Sequence, residues 1–118
     1  MSARLFVYGT LKDGGVSHRF LKLAKRGKDG VIDGYDMFVG GEDSPGIRPG
    51  QGRIFVETYL ISKPDLIKVD RNENEGKEYD RKLARTRDGR NGFIYILKKH
   101  PHAMKQVESG LWEPKPSK

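Results

Sequence analysis

Residues 4–11 read Arg-Leu-Phe-Val-Tyr-Gly-Thr-Leu, and this stretch decides the fold. Its first five residues form a short apolar run with high β propensity, which predicts a strand buried on both faces. Gly9 and Thr10 stop the run, because glycine lets the chain turn sharply where a strand ends. Such a turn leaves backbone N–H groups pointing outward, and a concave row of N–H groups can hold a carboxylate or a phosphate. Taken alone, residues 8–11 fit an ordinary strand-ending turn equally well.

The rest of the chain is predicted to alternate between strands, turns and short helices. In chain order we expect a short helix capped by Ser17 and ended by Gly27, β-prone segments within 28–39, a loop rich in Gly and Pro over 40–52, a strand over 53–61, a helix over 63–73 capped by Ser62, a strand over 79–87, a hairpin loop over 88–92, a strand over 93–97 and a helical turn within 102–107. Strands outnumber helices and the hairpin is antiparallel. The sequence therefore predicts an α+β fold with a mixed, curved sheet.

The composition excludes several classes of protein. With 118 residues, we expect one domain over residues 1–112 and a disordered tail over 113–118. The chain has no run of about 18 apolar residues, so no membrane span is predicted, and no signal peptide is predicted from its first residues. A cytoplasmic location is the default expectation. With no cysteine and three histidines, the sequence argues against thiol catalysis, disulfides and a metal site.

The chain is basic, with a formal net charge of +7 and two basic clusters at 19–28 and 81–90. Such a surface can bind nucleic acid or another anion, or it can simply be solvated. The clusters are not interleaved with aromatic residues that would stack on bases. We therefore do not expect nucleic acid to be the partner.

The predicted helix over 63–73 carries the first catalytic candidate. Leu66, Val69 and Glu73 follow at i, i+3 and i+7, so they share one face and Glu73 lies on the side of the core. Partial burial and the negative end of the helix both raise the pKa of a carboxyl group, which makes it a better proton acceptor near neutral pH. Alternatively, the side chain turns outward and frays with the helix end.

Two further side chains are candidates for contact with a ligand. Tyr79, which is followed two residues later by Arg81, either donates a hydrogen bond to a substrate or packs as a strand aromatic. Arg48 lies in the predicted loop over 40–52 and either meets an anion or stays in solvent. None of these features decides the function by itself.

When these features are taken in their order along the chain, however, the sequence resembles the gamma-glutamylcyclotransferase-like family. This family is also called avirulence-induced-gene-like or butirosin-cyclotransferase-like. The matching pieces are LFVYGTLKDGG at 5–15, PGIRPG at 45–50, VDRNENEGKEYDRK at 69–82, FIYIL at 93–97 and ESGLW at 108–112. The resemblance implies a small mixed β-barrel with a few short helices around it. It also implies conversion of a gamma-glutamyl amine or amino acid into 5-oxoproline and a free amine, a cyclisation of the transferase or lyase type that needs no metal or organic cofactor.

Carried over by position, the resemblance implies roles for particular residues. The residues concerned are Tyr8, Gly9, Thr10, Leu11, Glu73 and Tyr79. Residues 8–11 would grip the glutamyl α-carboxylate, Glu73 would be the catalytic general acid and base, and Tyr79 would line the cavity between them.

Two points stay open at the level of the sequence. The family often has Leu-Asp-x-x-Glu-Gly, so Glu75, which precedes Gly76, competes with Glu73 for the catalytic role. We prefer Glu73, because it stands six residues before Tyr79 and because helical spacing turns it inward. A non-catalytic module that binds a small ligand in the same fold is the second hypothesis, and a basic nucleic-acid-binding protein is the third. The sequence indicates neither the leaving amine nor the oligomeric state.

Overall fold

The structure is a computed structural model, which describes residues 2–40, 45–73, 75–98 and 104–114. These residues are mostly in strands. The strands are β1 (Ser2–Val7), β2 (Lys25–Arg26), β3 (Gly30–Val39), β4 (Pro45–Ser62), β5 (Tyr79–Arg85), β6 (Asn91–Leu97) and β7 (Lys105–Val107). The chain also forms the α-helix α1 (Lys63–Asn72) and a 3₁₀ turn over His18–Leu21. No helix in these four ranges is long and apolar enough to cross a membrane.

The strands form one mixed sheet in the order β5-β6-β1-β4-β3-β7, and β2 pairs with β4. β1 and β6 run parallel, and the other pairs are antiparallel. The long β4 pairs with β3 along its first part and with β1 along its second, so the sheet curls into a half-barrel. The start of β4 thereby approaches the end of β6, where the Arg48 guanidinium donates to the carbonyl oxygens of Leu97 (3.0 Å) and Lys98 (3.2 Å). The predicted α+β class and mixed, curved sheet are confirmed.

β1 is buried on both faces, as its sequence predicts. Leu5 and Val7 point to one side of the sheet, where they join the cluster that includes the buried face of α1. Phe6 and Tyr8 point to the other side, into the cluster on the inner face of the half-barrel. Because side chains alternate along a strand, this one short strand serves both hydrophobic cores.

Local sequence signals also predict where α1 begins and where the hairpin turns. The Ser62 hydroxyl accepts a hydrogen bond from the Asp65 N–H (3.3 Å), which confirms the predicted N-cap. The hairpin lies where it is predicted, but its first strand ends at Arg85 and its second begins at Asn91. The turn between them therefore starts earlier than expected. Gly89 has φ of +91° in that turn, a conformation that favours glycine.

The prediction of a loop over residues 40–52 is wrong from Pro45 onward. β4 begins there and pairs with β3, and Pro49 lies opposite Tyr35. The register shifts between Asp33 and Tyr35, which marks a β-bulge, and proline is tolerated in strands beside bulges.

The glycines of this stretch also have a role in the strand. The Gly52 N–H donates to Asp36 Oδ1 (2.9 Å), and a Cβ on Gly50 would lie 2.1 Å from Asp36 Oδ2. Glycine is required for this close approach, although its frequency in the sequence is typical of a loop. The part of the predicted loop at 41–44 lies outside the described residues.

Two predicted helical segments are wrong. The segment after Ser17 is a 3₁₀ turn that ends at Leu21 instead of continuing to Gly27, and the Ser17 side chain makes no capping hydrogen bond. Lys105–Val107, where a helical turn was expected, is the edge strand β7 and pairs with β3. Residues 102–103 and 115–118 lie outside the described residues, so the division into a domain and a tail stays a prediction.

Candidate active site

A cavity of about 290 Å³ lies where the turn after β1 faces the carboxyl end of α1. This volume is at the lower end of the range for small-molecule sites. All six residues to which the sequence gives roles line this cavity: Tyr8, Gly9, Thr10, Leu11, Glu73 and Tyr79. The structure thus brings together two segments that are some sixty residues apart in the chain. Their roles in binding and catalysis stay predictions.

The turn after β1 is closed by its own backbone. The Lys12 N–H donates to the Gly9 carbonyl (2.8 Å), and the Ser17 N–H donates to the Thr10 carbonyl (2.9 Å). Among the described residues, the N–H groups of Gly9, Thr10 and Leu11 donate to no backbone carbonyl. A turn that binds an anion needs backbone N–H groups without such partners, and all three residues line the cavity.

Close packing fixes the other side of this turn. Gly9 is buried, and a Cβ at this position would lie 2.4 Å from Cγ of Pro45, the first residue of β4. Pro45 also lines the cavity, and its carbonyl accepts a hydrogen bond from the Tyr79 hydroxyl (3.1 Å). The turn, β4 and β5 are thus held together around one side of the cavity.

Glu73 stands at the carboxyl end of α1, where its N–H donates to the Val69 carbonyl (3.0 Å). Leu66 and Val69 are buried on the same face, as helical spacing predicts, and Glu73 reaches the cavity. Burial, together with a smaller effect of the negative charge of Glu78, raises the pKa of Glu73 to about 7. A carboxyl group with this pKa can both accept and return a proton near neutral pH.

Glu75, the competing candidate, lies elsewhere. Its side chain is exposed, and its Oε2 accepts a hydrogen bond from the Arg81 N–H (3.3 Å). Glu75 is not among the residues that line the cavity. The two acidic residues, only two positions apart, therefore have different environments.

Two tyrosine hydroxyls of the cavity are tied to backbone carbonyls. The Tyr8 hydroxyl donates to the Tyr95 carbonyl (2.8 Å), and the Tyr79 hydroxyl donates to Pro45. Burial, with a smaller effect of the Glu73 charge, raises the pKa of Tyr79 to about 12. Burial, followed by the charges of Tyr79 and Glu73, also raises the pKa of Tyr8. Both tyrosines are therefore neutral hydrogen-bonding groups near pH 7.

Asp70 contacts Tyr95, which lines the cavity, and sequence reasoning predicted no role for Asp70. Asp70 Oδ1 accepts a hydrogen bond from the Tyr95 hydroxyl (2.5 Å) and lies 3.1 Å from Arg81 Nε. This contact ties the last turn of α1 to β5 and β6. A signal was present in the sequence, because Asp70 stands three residues before Glu73 and shares its helix face, while Arg81 stands two residues after Tyr79 and shares its strand face.

The charges on the cavity wall are acidic. In the described part of the chain, Glu73 and Glu78 are its charged lining residues, and no lysine, arginine or histidine lines it. Within the same ranges, no group of three or more histidine or acidic side chains is arranged to hold a metal ion.

The basic cluster at 81–90 is largely engaged in contacts within the fold. Arg81 pairs with Asp70, and Arg87 pairs with Asp33. The Arg90 guanidinium contacts the Asp88 carboxylate and donates to backbone carbonyls of the β2–β3 connection. Arginines that hold the fold together in this way are less available to phosphates.

The family model described as gamma-glutamyl cyclotransferase, AIG2-like, matches residues 5–114. The chain therefore belongs to this family, and the resemblance seen in the sequence is confirmed.

Individual relatives match over most of their length. The gamma-glutamylcyclotransferase family protein YtfP of Escherichia coli strain K12 is 32% identical over 109 residues, which cover 92% of this chain and 95% of YtfP. The gamma-glutamylaminecyclotransferase of Bos taurus is 32% identical over 114 residues, with coverage of 84% of this chain and 68% of that protein. The crystal structure of uncharacterized protein PH0828 from Pyrococcus horikoshii has a TM-score of 0.83 at 30% identity, covering 94% of this chain and 90% of that one.

Proposed function

We propose that this protein is a cyclotransferase that converts a gamma-glutamyl amine or amino acid into 5-oxoproline and the free amine, without a metal or organic cofactor. The observation that carries the proposal is the position of Glu73. A half-buried carboxyl group with a pKa of about 7 shares one cavity with the backbone donors of the turn after β1. Membership of the gamma-glutamyl cyclotransferase family supports this function. A cytoplasmic location is proposed with it.

The substrate carries its own nucleophile. Its α-amine is four bonds from the γ-carbonyl carbon, so attack closes a five-membered lactam. Near neutral pH this amine is protonated and inert. Its nitrogen loses two protons in forming the lactam N–H, while the leaving amide nitrogen gains two and departs as an ammonium ion. A carboxylate that accepts and then returns a proton serves both halves of this exchange.

Each of the six cavity residues that the sequence singled out has a part in this scheme. The N–H groups of residues 9–11 bind the α-carboxylate, which holds the substrate curled with its amine near the γ-carbonyl. Intramolecular attack then avoids the entropy cost of bringing two reactants together. Glu73 takes the two protons from the α-nitrogen one after the other and delivers each to the leaving nitrogen. Tyr8 and Tyr79 shape the cavity and offer neutral hydroxyl groups.

The test is release of 5-oxoproline from a panel of gamma-glutamyl amines, amino acids and isopeptides. We expect the wild type to release it from at least one compound. Glu73→Gln should lower kcat by about 10² to 10⁴, the usual contribution of general acid–base catalysis. Glu75→Gln is the matched control, because it removes the same charge two residues away, outside the cavity, and should retain activity within about threefold.

Four other results would change this assignment. A blank for the whole panel with the wild type would overturn the proposed activity, and loss of activity in Glu75→Gln alone would move the catalytic role to Glu75. Tight calorimetric binding of 5-oxoproline or glutamate derivatives without turnover would favour the non-catalytic binding module. A salt-dependent shift with RNA or DNA would favour the third hypothesis.

A further inference from the structure

The charge of the cavity is opposite to the charge of the chain as a whole. The protein has a formal net charge of +7, yet the charged side chains that line the cavity in the described ranges are Glu73 and Glu78. The proposed reaction needs one carboxylate to handle the proton. It gives no role to the other, so Glu78 is a charged group on the cavity wall that the mechanism leaves unused.

Glu78 is held at the outer part of the cavity. It immediately precedes β5, its side chain is exposed while that of Glu73 is half-buried, and its carbonyl accepts a hydrogen bond from the Lys98 N–H (2.9 Å). This bond anchors the backbone of Glu78 to the end of β6. In the described part of the chain, no lysine, arginine or histidine forms an ion pair with its carboxylate. Within these ranges, the charge of Glu78 is not neutralised by an ion pair.

The orientation of the substrate brings its amine part towards this charge. In the proposed function, the α-carboxylate is bound at the turn after β1 and the α-ammonium faces Glu73. The amine part of the conjugate then extends from the γ-carbonyl towards the open side of the cavity, where Glu78 is exposed.

We propose that Glu78 selects gamma-glutamyl conjugates whose amine part carries a second, cationic amino group, such as a diamine, over conjugates of amino acids. The inference rests on the proposed function. An ammonium group on the amine part is attracted by Glu78, whereas the carboxylate of a leaving amino acid is repelled by it and meets no basic side chain among the described lining residues. An exposed ion pair changes affinity by a factor of about two to five, so attraction and repulsion together predict a ratio of about tenfold.

The experiment uses three conjugates of the same length that differ only in the charge of their far end. They are mono-gamma-glutamyl diaminobutane, gamma-glutamyl pentylamine and gamma-glutamyl aminopentanoate, which end in an ammonium, a methyl and a carboxylate group. kcat/KM for 5-oxoproline release is measured with each at about pH 8, above the pKa of Glu73 and below that of an alkyl ammonium. The neutral conjugate is the reference, so any effect of a variant on the chemical step divides out of the ratios.

We expect wild type to prefer the cationic conjugate over the anionic one by about tenfold, and added salt should reduce this ratio. Glu78→Gln should reduce it to within about threefold. Glu75→Gln removes an equal charge outside the cavity and should keep the wild-type ratio. Equal turnover of the three conjugates by wild type, or an unchanged ratio in Glu78→Gln, would overturn the inference while the proposed function stands.

Calorimetry with the same conjugates and Glu73→Gln separates failure of the inference from failure of the proposed function. Binding in the order cationic, neutral, anionic, with no turnover by wild type, would support the charge preference and overturn the proposed activity. Neither binding nor turnover of any conjugate would overturn both.

Discussion

At the scale of the residue, the cavity contains a carboxyl group, that of Glu73, whose charged form is disfavoured by burial. Burial raises the pKa of Glu73 from its ordinary value of 4.5 to about 7, so the folded protein binds this proton more tightly than the unfolded chain does. The sign follows from linkage. Glu73 does not destabilise the fold below about pH 4.5, and it destabilises the fold progressively as the pH rises from there to about 7. The burial that makes Glu73 a good proton acceptor near neutral pH therefore lowers the free energy of unfolding at that pH.

We therefore predict that Glu73→Gln makes the fold more stable in mildly alkaline solution. The shift in pKa corresponds to a gain of up to about 3 kcal/mol in the free energy of unfolding at about pH 8. At about pH 4 the gain should be under about 1 kcal/mol, because wild-type Glu73 is then protonated and resembles glutamine. Urea unfolding at both pH values measures this. Equal stability of variant and wild type at the higher pH would mean that Glu73 is not held in an unfavourable environment.

A second prediction at this scale concerns Glu78. Its negative charge is the lesser of the two causes that raise the pKa of Glu73, after burial. Glu78→Gln should therefore shift the midpoint of the pH profile of kcat to lower pH, but not as far as the ordinary value of a glutamate. The profile is measured with the neutral conjugate. An upward shift would show that the two carboxylates do not repel each other.

At the scale of the element, the position of Glu73 depends on how α1 is attached to the sheet. The Asp70 carboxylate meets the Tyr95 hydroxyl of β6 and the Arg81 guanidinium of β5. These contacts fix the last helical turn, and Glu73 follows directly after it. The hydrophobic face of α1 holds the helix against the sheet, and the Asp70 contacts hold its end beside the cavity.

We predict that Tyr95→Phe destabilises the protein by about 1 to 3 kcal/mol, the range for loss of a hydrogen bond to a charged group. Tyr35→Phe is the matched control, because Tyr35 is partly buried but its hydroxyl makes no hydrogen bond with another described residue. That change should cost under about 0.5 kcal/mol. Equal stability of the two variants in urea would contradict the role given to Asp70.

The turn after β1 gives a further prediction at this scale. A Cβ at Gly9 would lie 2.4 Å from Cγ of Pro45, whereas a Cβ at Gly40 would lie 3.7 Å from its nearest neighbour. Gly9→Ala should therefore lower the free energy of unfolding by about 1 to 3 kcal/mol through overpacking. Gly40→Ala should be within about 1 kcal/mol of wild type. A neutral Gly9→Ala with full activity would show that the turn can shift without consequence for the cavity.

At the scale of the whole molecule, one short strand organises both hydrophobic cores. β1 lies between β6 and β4, with alternate side chains packed on opposite sides of the sheet. The turn that follows it therefore emerges where the two cores meet, beside the end of α1. The curl of the sheet then brings Pro45 to the same place, and the cavity is enclosed by segments that are far apart in sequence.

The features that the sequence predicts are those set by neighbouring residues. The apolar run of β1, the Ser62 cap and the hairpin turn each follow from local chemistry. The strand character of residues 45–52 could not be predicted, because it depends on Asp36 of β3. This residue lies across the sheet and packs against Gly50 and Gly52. β7 is three residues long and is a strand only because β3 offers it an edge. The link from Asp70 to Tyr95 spans 25 residues and likewise depends on the tertiary fold.

In the proposed mechanism, Glu73 moves the proton in a cavity that it shares with the turn after β1. This role is tested by the pH dependence of kcat for 5-oxoproline release, compared between wild type and Glu73→Gln. We expect the wild-type rate to rise with pH through a midpoint near 7, and the variant to be slower by about 10² or more and to lack this rise. A variant that keeps both the wild-type rate and the same rise would show that Glu73 is not the group that moves the proton.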